Sequence, residues 1–281
     1  MTRALLSAAC HAYAVAGVAY LVHLLRMKGR ASLFGGIALT VGLVLHVAAI
    51  VLRVREQVQS PFSGVGDGLS ALAALLVFAY LALDRIYRLP ALGAFVTPLA
   101  LTVTVTALLL PQGPVAASGG LAGPGLYAHV LVAFAAFAMF ALASGAAVLY
   151  LVLERQVKGK RFGFAFSRLP SLEVLDELNR RLVLFGFAAL SVTIASGALF
   201  AKVSWGAYWS WEPKQVLSLV AWLIFGALIA ARLQGGWRGK RVAVLTMLGL
   251  GVLLGSWVGL SAFPAGRHGE QASAVGGGTR G

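Results

Sequence analysis

The sequence predicts an all-α, polytopic membrane protein with about eight transmembrane helices. Three observations carry that reading. First, 59% of the 281 residues are hydrophobic and only 11% are charged, where a soluble domain carries about 25% charged residues. Second, eight stretches reach the roughly 20 apolar residues that a helix needs to cross a bilayer. Third, these runs are continuous and lack the alternating ten-residue pattern of a membrane barrel. A soluble enzyme, a disordered chain and a fibrous repeat are excluded on the same grounds.

The eight spans are expected over residues 4–25, 32–53, 67–84, 90–110, 127–152, 182–202, 214–233 and 242–262. Inside hydrocarbon the backbone has no water to bond, so each run must be a helix that satisfies its own N–H and C=O groups. The 34 glycines, many within the spans, suit close helix–helix approach. The first run has one preceding Arg and no small-residue cleavage site after it, so a retained helix is expected and not a signal peptide. Residues 169–181, LPSLEVLDELNRR, read as an amphipathic surface helix leading into the sixth span. The whole chain, 1–281, reads as a single transmembrane domain.

Lys and Arg decide orientation, because cytoplasmic loops are enriched in them. The loops after spans 1, 3, 5 and 7 hold 16 of the 23 basic residues. Those loops are therefore assigned to the cytoplasm and both termini to the periplasmic side. The formal net charge of +14 is thus a topology signal and not the footprint of a nucleic-acid partner. The only cysteine is Cys10, within an apolar run. There is no Cys-x-x-Cys-His haem-attachment motif, no phosphate-binding loop, no Ser/His/Asp arrangement and no zinc-spaced cluster.

This topology gathers an unusual set of side chains on the outer face. The loop 203–214 carries Trp205, Gly206, Tyr208, Trp209, Trp211 and Glu212, placing three Trp and one Tyr in seven residues. His129 opens the fifth span and His268 follows the eighth. Interfacial Trp and Tyr are ordinary anchors at membrane surfaces. Clustering in one loop with two histidines on the same side points instead to a planar ligand such as a porphyrin. The rings would stack on it and the imidazoles would take the axial positions of its iron.

The run Trp205-Gly206-Ala207-Tyr208-Trp209-Ser210-Trp211-Glu212-Pro213-Lys214 resembles the tryptophan-rich WWD motif of haem-handling proteins in cytochrome c assembly. Leu169-Pro170-Ser171-Leu172-Glu173, Leu92-Gly93-Ala94-Phe95-Val96, Gly236-Trp237-Arg238-Gly239, and Pro61-Phe62-Ser63 with Asp67 extend the likeness over nearly the whole chain. On these residues the chain is similar to the CcsA family of the system II pathway. The resemblance implies a multi-pass protein of the cell inner membrane that binds haem b. It implies His129 and His268 (in Gly266-Arg267-His268) as the two outer haem-iron ligands. It also implies a CcsB-type partner with a large periplasmic domain, and apocytochrome c as the acceptor of covalently attached haem. Membrane lipid is a further contact.

The departures from the family pattern are specific. Glu212 stands for the usual Asp, Gln215 for a Glu, Gly269 for a Ser, and Ala230 where the family has an intramembrane histidine. An ionisable residue at membrane depth is a functional candidate by default. His46 and His11 lie roughly 10 Å below the outer surface at 1.5 Å per residue, so His46 is taken as a candidate intramembrane ligand and His11 as its possible pair across adjacent spans. His23, at the inner end of the first span, reads as interfacial. Asp67 and Glu56 would complement helix starts or orient a partner. Lys202, Lys214 and Arg267 are the better partners for haem propionates. Two neighbouring functions stay open at this level: a haem chaperone without ligation activity, and a HemX-like regulatory membrane protein. The full tryptophan motif counts against the second.

Overall fold

The computed structural model describes residues 1–26, 29–56, 64–110, 123–160 and 169–262, with Glu56, Trp205 and residues 257–262 described by backbone only. Eight helices account for nearly all of it: α1 Thr2–Arg26, α2 Gly29–Glu56, α3 Val65–Tyr87, α4 Pro90–Leu109, α5 Pro124–Lys158, α6 Leu172–Trp205, α7 Pro213–Gly235 and α8 Lys240–Ala262. No strand occurs among the described residues. Among them α1 to α7 are long and apolar enough to cross a membrane, and α8 continues the pattern over 23 residues. This is a polytopic α-helical membrane protein.

Each predicted span matches one helix to within a few residues at most ends, the fourth stopping one residue short at Leu109 and the sixth starting ten residues early at Leu172, because capping chemistry, not apolarity, stops the backbone. Proline occupies the first turn of α4, α5 and α7, where its missing N–H costs nothing. Ser171 caps α6, its Oγ accepting the N–H of Val174 at 3.4 Å. The segment read as a separate surface helix is therefore the first three turns of α6, continuous with the span. Its amphipathic face is real: Leu175 and Leu178 are buried while Glu177 pairs with Arg180 and Arg181 at 2.7 and 2.6 Å.

The helices form two four-helix bundles. In the first, α1 packs on α2 and α4, and α3 closes the ring against both. In the second, α5 packs on α6 and α8, and α7 closes that ring. The bundles meet where α3 and α4 lie on α5. Gly145 permits that meeting, since a Cβ there would stand 2.7 Å from Leu92 and Phe95 of α4.

The centre of the second bundle is a stacked aromatic pair. Phe140 of α5 and Phe225 of α7 lie parallel with centroids 3.7 Å apart and 7° between planes. Both are fully buried. The remaining two helices approach this pair through glycine: a Cβ on Gly186 of α6 would meet Phe140 at 2.8 Å, and one on Gly249 of α8 would meet Phe225 at 2.6 Å. Because lipid tails are as apolar as the side chains, this packing works through dispersion and shape and not through escape from water.

The end of the same bundle where α6 begins and α7 ends is tied by polar groups. Arg232 of α7 donates to Asp176 at 3.1 and 3.4 Å and to Asn179 at 2.9 Å, both on α6. Asn179 donates onward to Ala143 O of α5 at 3.0 Å and Thr246 Oγ1 of α8 at 3.2 Å. One asparagine thus contacts all three neighbouring helices. The first bundle holds its core through Tyr20 and Tyr80, which meet edge-on with centroids 5.9 Å apart.

Replacing Phe225 by Ala empties the centre of the second bundle. A loss of about 2–4 kcal/mol is expected from the cost of large-to-small core changes, read as a clear fall in the thermal unfolding midpoint in detergent. An unchanged midpoint would show that the stack does not hold the bundle.

Candidate functional site

α5 starts, α6 ends and α7 starts at the same end of the second bundle, and the tryptophan loop joins the last two. α6 stops at Gly206, whose φ of +76° is a left-handed cap that favours glycine; its N–H donates to Lys202 O at 3.0 Å. Lys202 folds back over the turn. Its Nζ donates to Gly206 O at 2.7 Å and lies 5.4 Å from the centre of the Tyr208 ring. Trp209 and Trp211 then meet edge to face, 5.7 Å apart at 89°. Trp211 sits at φ +57°, in the left-handed region that a non-glycine residue seldom takes, and it remains 78% exposed. Glu212 is the residue before α7 and makes no side-chain cap bond.

Gln215 holds the loop to α7. Its Oε1 accepts from both the N–H and the hydroxyl of Ser210, at 2.9 and 3.2 Å. An amide oxygen serves here as a carboxylate would, which explains how the loop tolerates the departure from Glu at this position.

His129 lies half-buried on the first turns of α5, facing α6. Its Nδ1 is 2.7 Å from Ser196 Oγ. Phe200 places a ring edge-on to the imidazole, 5.4 Å away at 82°. Gly197 faces the ring: a Cβ there would lie 3.3 Å from Cε1 and 4.0 Å from Nε2. The charge of Lys214, at the start of α7, acts on the same imidazole, so His129 and the base of the loop share one electrostatic neighbourhood.

Two observations test whether these residues suit the haem that the sequence pattern suggests. The indole Nε1 of Trp209 is buried and has no partner among the described residues, leaving a donor for a bound acceptor. Gly197 lets the imidazole pack close against α6, and Ser196 engages Nδ1 and not Nε2. An imidazole held through Nδ1, an aromatic loop and two lysines is a donor set that fits an iron porphyrin with propionates. Among the described residues no group of three His, Cys, Asp or Glu is placed to hold a bare metal ion.

The other candidates fall differently. His268, Gly269, Arg267 and Pro61-Phe62-Ser63 lie outside the described residues, as does the side chain of Trp205. His46 sits in the first bundle, fully buried, with both ring nitrogens engaged: Nδ1 with Tyr13 Oη at 3.1 Å and Nε2 with Ser70 Oγ at 2.8 Å. The expected pairing of His46 with His11 is not formed. Two residues along α1, Tyr13 takes that place, while His11 is exposed and its Nδ1 bonds Ser7 O at 2.7 Å within its own helix. Asp67 is buried against Arg53 of α2 at 3.2 Å, so it ties α2 to α3 in place of facing a partner. Ala230 faces outward on α7, opposite the buried Phe225 and Leu228.

Sequence reading missed Ser196, Gly197 and Phe200. They are a small polar residue, a glycine and an aromatic one turn apart in an apolar helix, which no periodicity marks as special. Only their antiparallel register against α5 brings them to His129.

An aromatic loop beside a half-buried histidine at one end of an eight-helix, double four-helix frame defines a polytopic α-helical membrane protein. The chain belongs to the cytochrome c assembly protein family, whose model matches residues 62–256. It is similar to the "Cytochrome c biogenesis protein CcsA" of Guillardia theta, 34% identical over 240 residues and covering 78% of this chain and 80% of that one. It is also similar to the CcsA proteins of Synechococcus sp. strain CC9902 (30% identity, 80% and 82% covered) and Porphyra purpurea (30%, 74% and 77%). Among solved structures it matches "Cytochrome c Heme Lyase CcmF" with a TM-score of 0.64 at 14% identity, covering 93% of this chain and half of that one. At that identity the likeness is one of fold. The protein is thus a multi-pass membrane protein of cytochrome c biogenesis.

The loop geometry makes a direct prediction. In Gln215→Ala the acceptor for Ser210 is lost, and amide hydrogen exchange across residues 206–212 should speed up severalfold. Gln215→Glu keeps the acceptor and should leave exchange unchanged. Equal exchange in all three proteins would show that Gln215 does not order the loop.

Proposed function

We propose that this protein binds haem b at the periplasmic face of the cell inner membrane and holds it for covalent attachment to apocytochrome c. The observation that carries this reading is the placement of His129, bonded to Ser196 through Nδ1 and not Nε2, at the same end of the bundle as the tryptophan loop. In it, His129 and His268 would hold the haem iron, and Trp205, Gly206, Tyr208, Trp209 and Trp211 would supply the aromatic surface for the porphyrin. Lys202, Lys214 and Arg267 meet the propionates, and Glu212 balances their charge.

When bound, haem supplies two vinyl groups that add cysteine thiols as thioethers. The chain itself supplies position. His129 would orient the bound group, the aromatic loop would shield it from water, and the exposed Trp211 would lie where an incoming Cys-x-x-Cys-His segment could approach. Holding both reactants in a near-attack arrangement is worth several kcal/mol of barrier, up to roughly 7–11 in well-oriented cases. A CcsB-type partner with a periplasmic domain would present the apocytochrome. The basic loops between α5 and α6 and between α7 and α8 face the cytoplasm, and both termini face the periplasm. His46 serves as an intramembrane way-station in this reading only by exchanging Tyr13 and Ser70 for iron.

Absorption spectra test the ligands. His129→Ala and His268→Ala should each lower haem occupancy or shift the Soret band, whereas His46→Ala should lower haem delivered in cells yet leave binding of added hemin intact. Wild-type spectra and normal cytochrome c maturation in both outer-histidine mutants would overturn the ligand assignment, and unchanged haem stoichiometry in His46→Ala would remove the way-station.

Orientation is tested separately. A reporter fused after Gly281 should be periplasmic and one inserted at Gly163 cytoplasmic. The reverse pattern would put the tryptophan loop on the wrong side for this chemistry.

A further inference from the structure

We infer that Ser196 is a positioning residue that sets the tautomer of His129, holding the proton on Nδ1 so that Nε2 keeps its lone pair for a ligand. The inference rests on the reading of His129 as an axial ligand and names the group that prepares it.

The heavy atoms around Ser196 determine where its single hydroxyl proton goes. Ser196 Oγ lies 2.7 Å from Val192 O, four residues back on α6, and 3.2 Å from Thr193 O. It also lies 2.7 Å from His129 Nδ1. A carbonyl oxygen has no proton to give. Two oxygens at 2.7 Å with no hydrogen between them would set lone pair against lone pair, so the hydroxyl proton must point at Val192 O. This back-bond from a helical Ser to the carbonyl one turn earlier is a common habit of the residue. With its proton spent there, Ser196 can only accept from the imidazole. Nδ1 is therefore the donor, and a neutral His129 carries its lone pair on Nε2.

Two neighbours on the same turn of α6 complete the setting. Gly197 lets the ring pack close to α6, as even a methyl group there would stand 3.3 Å from Cε1. Phe200 meets the ring edge-on at 82° and limits its rotation about χ2. Histidines that bind metals commonly donate their second nitrogen to an oxygen acceptor, which fixes tautomer and orientation together. Here the acceptor is a hydroxyl whose own direction is locked by the helix backbone.

The test uses the full-length protein in lipid nanodiscs with 15N-labelled histidine. The His129 signals are identified by their absence in His129→Ala. In the haem-free wild type, His129 should show the Nδ1–H tautomer. Ser196→Ala should shift it to a mixture or to the Nε2–H form, and Ser196→Thr, which retains a back-bonding hydroxyl, should restore the wild-type pattern. Hemin titrated into the same proteins should bind about ten- to a hundredfold more weakly in Ser196→Ala, the usual effect of removing such a supporting group, with wild-type affinity in Ser196→Thr. Thermal unfolding of each variant controls for folding. An Nε2–H tautomer in the wild type, or an unchanged tautomer in Ser196→Ala, overturns the inference. The two levels separate cleanly: if the tautomer responds to Ser196 but His129→Ala leaves the haem spectrum and hemin affinity unaltered, Ser196 positions the ring while the ligand reading fails.

Discussion

The antiparallel register between α5 and α6 is the constraint on which the site depends. It is set in mid-bundle, where Phe140 of α5 lies against Gly186 of α6 and stacks on Phe225 of α7. Eleven residues along α5 toward the outer end is His129, and ten residues along α6 in the same direction is Ser196. At 1.5 Å per residue those distances are about 16 and 15 Å, so the two side chains arrive at the same height. A larger residue at position 186 would separate the helices at the centre and pull the outer pair apart. A packing contact deep in the bilayer thereby positions a polar contact near its surface.

Polar side chains inside the bundles follow the same economy as the backbone: almost every one bonds to something nearby. Thr97, Thr104, Ser191 and Thr193 donate to carbonyls of their own helices. Ser191 also accepts the Trp222 indole at 2.9 Å, joining α6 to α7. His46, Tyr13 and Ser70 join three helices of the first bundle. An unbonded polar group in such surroundings costs several kcal/mol, so these bonds specify which helices pair and in what rotation. Of the buried polar atoms without a hydrogen-bond partner among the described residues, the Trp209 indole N–H lies in the tryptophan loop, whereas others, such as the Tyr20 and Tyr80 hydroxyls, lie within the helices.

The two bundles divide the work. The second contains the loop and His129 at one end and the Arg232–Asp176–Asn179–Thr246 tie at the other. The first presents α3 and α4 as a wall along α5. Gly145 admits Leu92 and Phe95 at that seam, and near the inner end Arg181 of α6 donates to Tyr87 of α3 at 3.0 Å. The long α5, 35 residues in all, belongs to both surfaces and carries the histidine at its free outer end.

The sequence alone determined the class of fold, the helix count and the position of the tryptophan loop between the sixth and seventh helices. Apolar run length, charge and aromatic clustering are local properties that survive in a linear reading. The tertiary structure decided the partners. That His46 would meet Tyr13 and Ser70, and not His11, depends on the rotation of α1 about its axis, and two residues along a helix is a 200° turn at 3.6 residues per turn. The continuity of α6 through residues read as a surface helix depends on a cap at Ser171 and on Leu175 and Leu178 finding a core to enter. Ser196 and Gly197 are ordinary residues of an apolar helix until the close packing at Gly186 sets them beside an imidazole. Contacts between residues 67 apart in the chain are fixed by how helices pack, and packing is a property of shapes in three dimensions that no single segment encodes.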